Sequence, residues 1–137
     1  MKKHKKAIGV LINDPHLDKD NGKLVKYIFS QLINVCTDYD TNRIFCGGDI
    51  FTNRSGQPLA CLTDWKEILE MISEAEIEIH LIPGNHDKTD GNDEKSYLDV
   101  YSDPCVYLYR SGARKIMDGA VIAFIPFFKD DLSLIHI

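Results

Sequence analysis

No apolar run in the 137 residues approaches the ~18–20 needed to cross a bilayer, so a transmembrane helix is excluded. Positive charge is also short. Sixteen Lys+Arg stand against twenty-one Asp+Glu, a formal charge of −5, which disfavours a globally basic nucleic-acid binder but allows a local basic patch. Cysteine is sparse and scattered: Cys36, Cys46, Cys61 and Cys105 form no CxxC pair. Neither a zinc ribbon nor a disulfide framework is indicated, and four reduced, mostly buried thiols in a cytoplasmic protein are expected. The basic start (1–6) leads into only six apolar residues (7–12) and then Asn13-Asp14-Pro15, so the ~7–15-residue core and small cleavage residues of a signal peptide are missing. What is present, 44% hydrophobic against 27% charged, suffices for one compact domain with a core.

The apolar run 7–12 predicts a strand covered on both faces. From 23 to about 38 the period becomes helical, with Leu24, Ile28, Leu32 and Val35 as one stripe flanked by Val25, Phe29, Ile33 and Cys36. Residues 43–46 form a second strand, stopped by Gly47-Gly48. Asp64 and Glu67 have capping-box spacing and predict a second helix opening at Asp64, with Trp65, Ile68, Leu69 and Ile72 inward. Residues 77–82 form a third strand ended by Pro83-Gly84. A polar loop at 91–93, a short helix at 94–102 and strands at 106–109, 114–117 and 120–125 follow. The expected class is α/β, a βαβαβ parallel core followed by additional strands.

Chemistry-bearing residues sit where these strands end. The first runs into Asp14-Pro15-His16, the second into Gly48-Asp49 and the third into Gly84-Asn85-His86-Asp87. In a parallel sheet all carboxyl ends share one edge, where ligands bind. Carboxylates gathered with imidazoles are costly unless a cation neutralises them. Carboxylate, amide and imidazole donors without thiolate suit Mn²⁺, Fe or Zn²⁺. A pair of such ions, roughly 3.5–4 Å apart across a bridging carboxylate, activates water for attack on a phosphoryl group. Each fragment alone is an ordinary turn; the combination at three consecutive strand ends is not.

Asp14-Pro15-His16, Gly48-Asp49-Ile50-Phe51 and Gly84-Asn85-His86-Asp87 resemble the D-x-H, G-D-x-x and G-N-H-[DE] motifs of the calcineurin-like metallophosphoesterase superfamily, over residues 7 to 128. The resemblance implies the N-terminal half of that superfamily's α/β sandwich. Asp14 and His16 would bind the first of two divalent metals, Asp49 would bridge them, and Asn85 would bind the second. His86 would stabilise the transition state or protonate the leaving oxygen, and Asp87 would orient His86. Gly48-Asp49-Ile50-Phe51 followed by a loop with Pro58 looks like the SbcD-type nucleases of recombination and repair, which implies Mn²⁺, DNA as substrate and an SMC-like ATPase as partner. The serine/threonine phosphatases usually carry G-D-x-x-D-R-G, and Thr52-Asn53 stands at the Asp-Arg positions here.

The superfamily's later His and closing G-H-x-H have no counterpart, since His4, His80 and His136 stand at the wrong edge, in mid-strand and in a short tail. The expectation is a truncated chain with an incomplete metal site: residues 1–131 as the N-terminal portion of the domain, and 132–137 as a tail resembling translated adaptor sequence. Two other functions stay open. One is a small-molecule phosphatase or cyclic-nucleotide phosphodiesterase, towards which the acidic charge leans; the other is an inactive fragment. Lys2, Lys3, Lys5 and Lys6 read as a solvated arm, and Tyr97, Tyr101, Tyr107 and Tyr109 as residues completing a small core. No membrane partner is expected, and a homodimer stays open.

Overall fold

Short apolar runs form β1 (Val10–Ile12), β2 (Arg43–Cys46) and β3 (Glu78–Leu81), separated by α1 (Gly22–Asp38) and α2 (Leu59–Glu74), in a computed structural model that describes residues 5–88 and 95–126. A 3₁₀ turn at Tyr97–Val100 leads to β4 (Val106–Leu108), and β5 (Ala113–Met117) turns back as β6 (Ala120–Phe124). The sheet order is β1-β2-β3-β4 with every pair parallel, while β5 and β6 form a separate antiparallel hairpin. Parallel neighbours need long crossovers, and the two helices supply the first two. The register sets Ile12 beside Cys46 and Cys46 beside Leu81, so three strands end level with one another. The α/β class read from periodicity is the one observed.

The core lies between the sheet and the helices. Phe29 of α1 meets Trp65 of α2 edge-on, ring centroids 5.5 Å apart, with Ile44, Ile68, Ile72 and Ile79 buried around them. On the sheet's other face Phe124 of the hairpin stacks on Tyr109 at 3.9 Å and lies near Phe45 and His80. His80 is buried and hydrogen-bonded to Tyr109 Oη (2.9 Å) and Glu78 (3.0 Å), the packed histidine that mid-strand placement predicts. The four tyrosines also act locally: Tyr107 stacks on His80, Tyr97 and Tyr101 donate to the carbonyls of Arg54 and Leu62, and Tyr109 bonds His80. All four cysteines are free and buried.

Three expectations need correction. The first strand is shorter than 7–12, because the Ile8 carbonyl is taken by the Thr41 hydroxyl (3.0 Å) and by Arg43 Nη1 rather than by a neighbouring strand. Helix α2 opens at Leu59 after Pro58, whose φ of −54° leads into the first turn, and not at Asp64. Asp64 is instead an interior residue that pairs with Lys26 of α1 at 2.9 Å. In α1 the inward stripe is Gly22, Val25, Phe29 and Cys36, while Leu24, Ile28 and Val35 face outward. Apolar residues cover so wide an arc of this helix that periodicity leaves its rotation open, and docking of Phe29 on Trp65 decides it.

Among the described residues no helix is long and apolar enough to cross a membrane. The loop at 91–93, the start of the helix at 94–102, the end of the run toward 128, residues 129–131, the 132–137 tail, Lys2, Lys3, His4 and His136 lie outside the described residues.

Candidate metal centre

Backbone hydrogen bonds continue past the strand ends and tie the three loops together. Gly47 donates to Ile12 O (3.1 Å), Asp14 to Gly48 O (3.2 Å), His16 to Asp49 O (3.1 Å) and Leu17 to Ile50 O (2.6 Å). On the other side, Ile82 donates to Cys46 O (3.2 Å) and His86 donates its amide to the Asp49 side chain, Oδ1 at 2.8 Å. Two glycines permit the close approach. Gly48 has φ +97°, and a Cβ there would lie 2.5 Å from Gly84 N. A Cβ on Gly84 would lie 2.8 Å from Asp49 Cγ, and closer still to its Oδ1 and N.

Ligand atoms of Asp14, His16 and Asp49 consequently lie within 4.8 Å of one another. Three of the six non-glycine residues at positive φ among the described residues are these same ones: Asp14 at 53°, His16 at 52° and Asp49 at 52°. Left-handed backbone costs on the order of 1–3 kcal/mol per residue and persists where the surroundings impose it, commonly at binding sites. Asn85 opens the 3₁₀ turn Asn85–Asp87, half-buried between Gly84, which makes room for Asp49, and His86, which is bonded to it. The ring of His86 lies 5.6 Å from that of His16. Five of the six residues singled out by sequence thus carry side chains at this edge of the sheet that are exposed or partly so.

Asp87 is the sixth, and its use differs from the expected one. It is fully buried, with Oδ2 accepting from Gly84 N (2.9 Å) and Oδ1 from Phe51 N (3.1 Å), so it ties the third loop to the second. The ring of His86 is oriented by Thr52, whose carbonyl accepts from Nδ1 at 2.7 Å. Thr52 is the residue that sequence reasoning missed. A main-chain carbonyl leaves no signature in residue type.

The local field is negative. Burial pushes the Cys46 thiol up to about 12, and Asp87, Asp14 and Asp49 add to the rise. Burial also raises the Asp87 carboxyl to about 6, against the backbone amides of Gly84, Phe51 and Asp49 that favour its charge, while the charge of the Asp49 carboxylate adds to the rise. Cys46 is buried and is not among the side chains whose ligand atoms gather here. Two carboxylates and an imidazole within one cation's reach, in a negative field, fit a divalent ion bound through oxygen and nitrogen.

The family model described as calcineurin-like phosphoesterase matches residues 10–134. No curated protein matches the sequence.

Proposed function

Because the chain belongs to the calcineurin-like phosphoesterase family, we propose that it hydrolyses phosphoesters with divalent cations held by Asp14, His16, Asp49 and Asn85. The observation that carries this is the gathering of Asp14, His16 and Asp49 ligand atoms within 4.8 Å at the carboxyl edge of the sheet. Bound cations would supply Lewis acidity and an activated water there. The chain's own residues do the rest. The Asp14 and Asp49 carboxylates set the charge of the site, and the Asp49 side chain also positions the His86 amide. With Nδ1 of His86 engaged by Thr52, Nε2 is the ring atom left for the substrate, where the doubly protonated ring would stabilise the transition state or give the Nε2 proton to the leaving oxygen. Asp87 holds the turn that presents Asn85 and His86.

The finer reading is a nuclease of SbcD type acting on DNA phosphodiesters in recombination or repair, with Mn²⁺ as the metal and an SMC-like ATPase as partner. Gly48-Asp49-Ile50-Phe51 and the following loop with Pro58 support it, and Ile50 and Phe51 are both buried beneath the site. A formal charge of −5 favours a second reading, a small-molecule phosphatase or cyclic-nucleotide phosphodiesterase using the same ligands.

Assaying the protein with Mn²⁺ on linear duplex DNA, on p-nitrophenyl phosphate esters and on cyclic nucleotides, beside Asp49→Asn, separates these readings. Cleavage of DNA lost in the variant supports the nuclease, and turnover of the small esters alone supports the second reading. Bound Mn²⁺ without turnover of any substrate would overturn the hydrolase.

A further inference from the structure

Thr52 offers no ligand, yet three of its groups reach the loops that carry the ligands. Its amide donates to Leu17 O (3.1 Å), its hydroxyl donates to His16 O (2.9 Å), and its carbonyl accepts from His86 Nδ1 (2.7 Å). A carbonyl oxygen only accepts, so Nδ1 must carry the ring proton and the tautomer of neutral His86 is fixed. The His16 contact matters because that residue sits at φ 52°, in the sparsely populated left-handed region. Two side-chain donors hold its carbonyl in that conformation, the Thr52 hydroxyl and Asn21 Nδ2, the latter at 2.8 Å. Thr52 is itself exposed, so its hydroxyl is not there to complete the core.

We propose that Thr52 is a positioning residue. Its hydroxyl keeps His16 turned toward Asp14 and Asp49, and its carbonyl keeps His86 turned with Nε2 toward the substrate. One residue thereby sets the 5.6 Å relation between two rings that come from different loops. The carboxylate nearest in sequence to His86 does not take this role: Asp87 is fully buried on the amides of Phe51 and Gly84, while His86 Nδ1 is bonded to Thr52 O. The inference rests on the function proposed above, and its test is chosen so that the two can fail separately.

Thr52→Val removes the hydroxyl donor and keeps the shape. Calorimetric titration with Mn²⁺ should show affinity lowered about fivefold, the size of one net hydrogen bond, with Thr52→Ser restoring it to within about twofold. Thr52→Ala serves should the valine variant not fold. In the metal-free wild type, long-range ¹H–¹⁵N spectra should show His86 as the Nδ1–H tautomer. Undiminished Mn²⁺ affinity in Thr52→Val, or in Thr52→Ala in its place, would overturn the role at His16, and an Nε2–H tautomer would overturn the role at His86. Wild-type protein that takes up no Mn²⁺ would sink the proposed function instead, while the tautomer, read without metal, still decides the contact to His86.

Discussion

Replacing Asp49 by Asn separates the charge of the site from its shape. Asparagine is isosteric, keeps an Oδ1 acceptor for the His86 amide, and is one of the few residues at ease at the φ of 52° found here. What disappears is one of several neighbouring negative charges. At 4.8 Å, the outer limit for the Asp14 and Asp49 ligand atoms, two unit charges repel by about 3.5 kcal/mol at an effective dielectric of 20 and about 0.9 kcal/mol in water. The Asp14 side chain is 60% exposed, which places the pair near the lower figure. Metal-free Asp49→Asn should then be more stable than wild type by about 1 kcal/mol, roughly 3 °C in Tm. Mn²⁺ should reverse the order. At a free concentration about 100 times Kd the wild type gains about 2.7 kcal/mol, roughly 8 °C, and the variant, lacking the Asp49 charge, should gain less than about a third of that. Thermal melts in EDTA and in Mn²⁺ measure both differences. A variant that is less stable in EDTA, or that shows the wild-type shift with Mn²⁺, would refute the assignment of the Asp49 charge to a cation site.

Gly84→Ala forces a methyl group against Asp49, whose Cγ would stand 2.8 Å away, so the melt should drop by about 1–3 kcal/mol and Mn²⁺ uptake should fall with it; an unchanged titration would deny the close approach. Burial holds the His80 ring below its usual 6.5, despite the opposing pull of Glu78. The unfolded chain therefore takes that proton first, and the stability from this group is complete above about pH 6.5 and lost as pH falls below it. Urea melts of wild type should accordingly show a steeper acid loss than those of His80→Phe, and parallel slopes would contradict the burial argument. The rotation of α1 is tested by a pair of truncations: Phe29→Ala should cost about 3–5 kcal/mol and Leu24→Ala no more than about 0.5 kcal/mol, and the opposite ranking in denaturant melts would restore the stripe that periodicity suggests.

The strand ends were legible because two signals coincide there. Short apolar runs stop at Asn13, Gly47 and Pro83, and the residues that follow include Asp, His and Asn in a combination that a turn alone does not require. Parallel register then does the assembling, since Ile12, Cys46 and Leu81 end side by side. Less legible was anything that depends on which of two equivalent local choices the packing selects. Asp64 and Glu67 have capping spacing, but the helix already has its start at Pro58, and Asp64 serves Lys26 from another helix. Leu24 and Val25 are equally apolar, and only the partner Trp65 distinguishes their faces. Asp87 follows His86 in sequence, yet burial turns its carboxylate to the amides of Gly84 and Phe51. The support of His86 by Thr52 comes from a carbonyl, which every residue owns.

Equilibrium dialysis against ⁵⁴Mn²⁺ tests most directly whether the three loop tips form a cation site. The chain should retain at least one ion, and the double variant Asp14→Ala/Asp49→Asn, folded by circular dichroism, should retain none. No retention by wild type, or undiminished retention by the double variant, would contradict the assignment.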